Sequence, residues 1–201
     1  MTFVKYCGLT EERDVALACE LGAQAIGFVL WPQSPRFIAI GRAAALVRSL
    51  PSGTTPVGVF VKPTKGEIAA AIEAGMRVMQ IHGVAPGEVA TVEPPTERWI
   101  AASVDTDLSP LPQHTTVLLD AGDQARYGGT GQTIDWAHAA EIATRRRVLL
   151  AGGLTPANVG AAIRQVRPFG VDVSSGIEVR PGIKDAHAMR AFMAAVREAD
   201  Q

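Results

Sequence analysis

Short apolar runs alternate along the chain with segments whose apolar residues recur at helical spacing. The runs predict strands at residues 2–6, 25–30, 56–61, 77–81, 98–103, 116–119, 147–151 and 170–173. Several, such as Val57-Gly-Val-Phe-Val61, are almost continuously apolar, as expected of parallel strands covered on both faces. Between the runs lie helix signals. Thr10 before Glu11 and Glu12 reads as a helix start, with Val15, Leu17, Ala18 and Leu21 on the buried face and Gly22 as the stop. Thr64-Lys-Gly-Glu67 has capping-box spacing ahead of Ile68, Ala71 and Ile72, and Gly75 ends that helix. Thr155-Pro156 reads as N-cap and first helical residue of a helix to about residue 165. Asp185 caps a last helix carrying Met189, Phe192 and Val196. Further helices are predicted at 40–49, 86–92 and 135–144, and 104–110 offers at most a short turn.

Eight strands and about eight helices in strict alternation predict an α/β fold of the (β/α)8 TIM-barrel type, with short loops between eight parallel strands and one domain over residues 1–201. The alternative, an open doubly wound sheet, usually carries a glycine-rich turn after its first strand, and Cys7-Gly8-Leu9-Thr10 is not one.

Composition narrows the function classes. The 19 basic and 20 acidic residues leave a net charge of -1 with no long like-charge block, so neither nucleic acid nor a membrane surface is an expected partner. No apolar run reaches the ~18 residues of a membrane span. The N-terminus reads at once as a strand and not as a signal peptide, which predicts a cytoplasmic, reduced protein with Cys7 and Cys19 as free thiols. No Cys/His spacing resembles a zinc site, and neither metal nor cofactor is expected. The helix faces leave monomer and homodimer both open.

In a barrel of this type chemistry sits at the C-terminal strand ends. Lys5 and Cys7, two apart on the first strand, point to one face, where an ammonium would favour the thiolate. Cys7 could instead be a small buried hydrophobe, but its position favours function; mid-helix Cys19 reads as core. Arg36 follows strand two in a loop stiffened by Pro32 and Pro35 and could grip a carboxylate or lie solvated on the surface. His82 after strand four fits a structural or a ligand-contacting role equally well. Asp120 ends an apolar strand, which is unfavourable unless it faces the polar mouth. After it, 121–134 is glycine-rich and able to approach or cover a ligand. Gly152 and Gly153 after strand seven, and Ser174, Ser175 and Gly176 after strand eight, fit a phosphate site of backbone N–H groups and hydroxyls, with tight turns as the plainer alternative. Asp172 shares a face with Ser174 and reads as a carboxylate low in the barrel.

These blocks, in order, resemble phosphoribosylanthranilate isomerases. The match runs through Val4-Lys-Tyr-Cys-Gly-Leu-Thr10, Gly27-Phe-Val-Leu-Trp-Pro-Gln-Ser-Pro-Arg36, Gln80-Ile-His-Gly83, Leu118-Leu-Asp120, Gly128-Gly-Thr-Gly-Gln-Thr-Ile-Asp-Trp136, Leu150-Ala-Gly-Gly-Leu-Thr155 and Val171-Asp-Val-Ser-Ser-Gly-Ile-Glu178. The resemblance implies a cofactor-free Amadori rearrangement of a small-molecule substrate, N-(5-phosphoribosyl)anthranilate, in tryptophan biosynthesis. It implies Asp120 as general acid, Cys7 as general base, Arg36 on the anthranilate carboxylate and the two strand-end loops on the phosphate. Tyr6, where an aliphatic residue is usual, and Gln132, where lysine is frequent, depart from the pattern. A ribosyl-imidazole isomerase would carry an aspartate on strand one, where this chain has Cys7. A non-catalytic ligand-binding barrel leaves the joint presence of Cys7, Asp120 and Arg36 unexplained.

Overall fold

The alternation within each strand sorts side chains to the two sides of a closed sheet. In the computed structural model, which describes residues 1–91, 97–120 and 134–201, the strands are β1 (Phe3–Cys7), β2 (Ala25–Val29), β3 (Thr55–Val61), β4 (Val78–His82), β5 (Glu97–Ala102), β6 (Thr116–Leu119), β7 (Val148–Leu150) and β8 (Gly170–Val173). They pair in parallel in chain order, and β8 returns to β1 with Lys5 opposite Asp172, closing the barrel. One face of the strands fills the interior with Ala25, Val57, Val78, Trp99, Leu118 and Leu149. The other face, with Tyr6, Ile26, Phe28, Met79 and Leu119, packs against the helices. Tyr6 uses its extra length there: its hydroxyl donates to the Met189 carbonyl at 2.8 Å and so is satisfied although buried.

The helices are α1 (Glu12–Glu20), α2 (Ile40–Val47), α3 (Lys65–Glu73), α4 (Trp136–Ala143), α5 (Val159–Val166) and α6 (Ala186–Ala199). Thr64 and Glu67 form the expected reciprocal capping box, and Asp135 and Asp185 accept from the first backbone N–H groups of α4 and α6. Such caps contribute about 1 kcal/mol each. Among the described residues no helix is long and apolar enough to cross a membrane.

Four local expectations are corrected. Residues Pro86–Thr91 form a 3-10 turn and not an α-helix, since Gly87 is a poor helix former and the run is short; with only turns at 104–110, the described residues hold six α-helices rather than about eight. Thr10 does not cap α1; Glu11 takes the N-cap place, and the Thr10 hydroxyl donates to the Gly182 carbonyl. Thr155-Pro156 opens a turn, and α5 itself starts three residues later with Asn158 as N-cap. After β8 the chain makes a 3-10 turn (Ser175–Ile177) and a small antiparallel hairpin, β9 (Glu178–Arg180) with β10 (Ile183–Lys184), before α6. The glycine-rich segment read as a covering loop, with Gln132, lies at 121–133, outside the described residues.

Candidate active site

The barrel register places Lys5 and Cys7 on the interior face of β1, both buried. Their neighbour on β2 is Gly27, opposite Cys7. A Cβ on Gly27 would lie 2.8 Å from Cys7 Sγ and 3.0 Å from Lys5 Nζ, so glycine makes the room the two side chains occupy. Lys5 Nζ donates to Asp172 Oδ1 at 2.8 Å across the β1–β8 seam. Asp172 thus sits low in the barrel as a partner for a buried cation, which would otherwise be too costly to keep charged. Burial works against the Lys5 charge, but Asp172 and Cys7 outweigh it and hold its proton affinity above the ordinary value.

The same cluster revises the electrostatics expected of Cys7. Burial pushes the thiol up; Lys5 draws it back, and Asp172 pushes it up again. The net direction is upward, because burial outweighs the pull of an ammonium that is itself paired with a carboxylate. These surroundings favour the protonated thiol at neutral pH.

Above this floor opens a cavity of ≈ 460 Å³. Cys7, Arg36, His82, Asp120, Asp172 and Ser174 all line it, arriving from five different strand ends. Asp120 is fixed by its own backbone N–H, which donates to the Ala102 carbonyl at 3.0 Å and carries the β5–β6 ladder one residue past β6. His82 is buried, and its Nε2 lies 2.8 Å from Gln80 Nε2. With the amide nitrogen as donor, Nε2 accepts and the ring proton lies on Nδ1. Burial, and then the Lys5 charge, push the His82 pKa down to about 4, so the ring is neutral at pH 7.

Arg36 does reach the cavity, but a carboxylate already holds it. Its Nε and Nη2 donate to Glu178 Oε1 and Oε2 at 2.9 and 2.8 Å. Glu178 Oε1 also accepts from Lys184 Nζ at 2.7 Å and from the Gly182 N–H at 3.2 Å. The β9–β10 hairpin thereby carries the loop after β2, and Gly182 turns at φ 82°, where a Cβ would lie 3.0 Å from the Pro35 carbonyl oxygen. Glu178, Lys184, Gln80 and Gly27 had drawn no role from sequence. Pro181-Gly182, a strong turn signal between short β-branched pieces, was the mark by which the hairpin could have been found.

The strand-end loops meet one another. Gly152 and Gly153 turn with φ of 75° and 65° after β7. A Cβ on Gly176 would collide with the Leu154 carbonyl oxygen, so this glycine lets the loops after β7 and β8 touch. Ser174 faces the cavity, whereas Gly152, Gly153, Ser175 and Gly176 lie beside it without lining it. Among the described residues the buried Ser174 hydroxyl has no hydrogen-bond partner, and the Ser174 carbonyl accepts from Lys184 Nζ at 3.1 Å.

Residues 4–195 match the family model described as N-(5'phosphoribosyl)anthranilate (PRA) isomerase. A relative from Methylibium petroleiphilum named N-(5'-phosphoribosyl)anthranilate isomerase is 44% identical, over 99% of this chain and 95% of its own length. One of the same name from Pelobacter propionicus is 40% identical over 98% and 97%. Among solved structures, monomers of the dimeric isomerase from Thermotoga maritima superpose with a TM-score of 0.86 at 32% identity, covering 98% of this chain and 100% of that one. A phosphoribosyl anthranilate isomerase in complex with reduced 1-(o-carboxyphenylamino)-1-deoxyribulose 5-phosphate gives 0.85 at 31% identity, with the same coverage.

Proposed function

The chain belongs to the N-(5'-phosphoribosyl)anthranilate isomerase family, and from that premise we propose that it converts N-(5-phosphoribosyl)anthranilate to 1-(2-carboxyphenylamino)-1-deoxyribulose 5-phosphate, an aldose–ketose isomerisation in tryptophan biosynthesis. The observation that carries this reading is the convergence of Cys7, Asp120 and Arg36 on one cavity. Asp120 is the general acid that protonates the furanose oxygen and opens the ring to a Schiff base. Cys7 is the general base that takes the proton from sugar C2, giving an enolamine that tautomerises to the ketone. Such proton transfers are worth roughly 10²–10⁴-fold per group.

Cys7 has to shed its proton before it can act, and Lys5 is the nearby charge that favours the sulfur anion once formed. Arg36 holds the anthranilate carboxylate. The loops at Gly152-Gly153 and Ser174-Ser175-Gly176 take the phosphate, with the unpartnered Ser174 hydroxyl as a donor ready for it. His82 and Asp172 border the sugar. The enzyme works as one barrel domain over residues 1–201, in the cytoplasm, without cofactor or metal, as a monomer or homodimer.

The test is the loss of substrate fluorescence when protein is added to phosphoribosylanthranilate, with Cys7→Ala as control. Turnover by the wild type and its loss in the variant are expected. No turnover by folded wild-type protein refutes the activity, and full turnover by Cys7→Ala refutes the base.

A further inference from the structure

Arg36 and Lys184 share the single carboxylate of Glu178. Glu178 is almost wholly buried, with its side chain 4% exposed, and the Lys184 side chain is fully buried. Two basic side chains and one carboxylate thus meet behind the cavity, which Arg36 itself lines. The buried Asp14 carboxylate also acts on Lys184, so Lys184 does not depend on Glu178 alone, and burial works against its charge. Burial by itself would raise the Glu178 proton affinity, but the bonds from Arg36 and Lys184 reverse that and hold it below the ordinary carboxylate range.

The geometry says where a second carboxylate can meet Arg36. A guanidinium has five N–H donors in a rigid plane. Glu178 takes the side edge, through Nε and Nη2. Among the described residues nothing bonds the end edge, formed by Nη1 and the second Nη2 hydrogen, where a second carboxylate can lie in the same plane. Both Glu178 oxygens are used, so the side edge is fixed and the end edge inherits its orientation. Pro35 and the hairpin turn at Gly182 hold the loop backbone in place.

We propose that Glu178 is a positioning residue for substrate recognition, which clamps Arg36 by one edge so that its other edge is presented, already aimed, to the anthranilate carboxylate. Lys184 offsets the Glu178 charge, so the clamp orients Arg36 without cancelling its attraction for an anion. The inference rests on the reading of Arg36 as the carboxylate grip. It assigns the binding energy of that contact partly to a residue that never touches substrate.

Steady-state kinetics of Glu178→Gln, Arg36→Met and the double variant, each checked for fold by circular dichroism, test it. Glutamine turns an N–H pair toward the guanidinium and releases the clamp. The expected result is a KM raised roughly tenfold, the scale of one misaimed charge-assisted bond, with kcat changed by less than about threefold. In the Arg36→Met background the same substitution is expected to add nothing to KM. An unchanged KM in Glu178→Gln, beside a raised KM in Arg36→Met, overturns the clamp and leaves the Arg36 reading standing. Equal effects of Glu178→Gln with and without Arg36 overturn it too, since Glu178 would then act elsewhere. An unchanged KM in Arg36→Met overturns the carboxylate grip itself and the clamp with it. Should Glu178→Gln not fold, Glu178→Asp carries the test: it keeps the charge but withdraws it by one methylene, and a wild-type KM there overturns the proposal.

Discussion

Acid should destabilise this protein through His82 in a way that can be separated from its many carboxylates. The ring is buried in the barrel mouth, and its pKa is pushed down from 6.5 to about 4 by burial and the Lys5 charge. The unfolded chain returns it to the ordinary value of about 6.5. Between those values the unfolded state binds more protons than the folded one, so stability falls as pH falls. Linkage gives a loss of about 2 kcal/mol at about pH 5 and about 3 kcal/mol at about pH 4, relative to pH 8. Against a total stability of roughly 5–15 kcal/mol this is a large fraction. The perturbation is His82→Gln, which keeps a neutral polar side chain next to Gln80 and removes the titration. The assay is urea unfolding of both proteins across pH 4–8. The carboxylates contribute equally to both curves, so the difference between wild type and variant isolates His82. The wild-type advantage should shrink by the amounts above as pH is lowered. Parallel stability curves would refute the reasoning, because they would mean that His82 titrates alike in folded and unfolded chains.

Three further outcomes are expected. Cys7→Ala and Asp120→Asn should each lower kcat by about 10²–10⁴-fold without moving the thermal transition by more than a few degrees, and a kcat near wild type in either removes that residue from proton transfer. Because burial keeps the Cys7 thiol protonated, kcat/KM of the wild type should climb through the alkaline range as thiolate forms; a profile flat from neutral pH upward would show that sulfur ionisation is not required. Gly27→Ala should cut activity by displacing Cys7 and Lys5 at a destabilisation of about 1–3 kcal/mol, the usual scale for overfilling a packed interior, and wild-type turnover in this variant would contradict the crowding.

What could be read from the chain was what neighbours in sequence decide. All eight strands lie within a residue or two of their expected places, because continuous β-branched runs have few other homes in a parallel barrel. The Thr64–Glu67 capping box is complete within four residues and formed as read. Lys5 and Cys7 share a face because strand periodicity is two. What could not be read depended on residues far apart. The Cys7 thiol is pushed up by burial within the closed barrel and also by Asp172, whose carboxylate is brought in by β8. Arg36 meets Glu178 142 residues later. Thr10 looked like a cap because its acidic followers suit one, but its hydroxyl answers to Gly182 in the hairpin. That hairpin carried its own signal in Pro181-Gly182, which the expectation of strand followed directly by helix obscured.

The pairing of Lys5 with Asp172 spans 167 residues, and that separation sets an order of events during synthesis. The first strand leaves the ribosome early carrying an amine that cannot be buried uncompensated. Its carboxylate follows 167 residues later. Until the eighth strand is made, Lys5 lacks Asp172, and burying it unpaired would be costly. Glu178 and Lys184 emerge later still, just ahead of the final helix. The floor of the cavity is thereby completed only when β8 closes the barrel against β1.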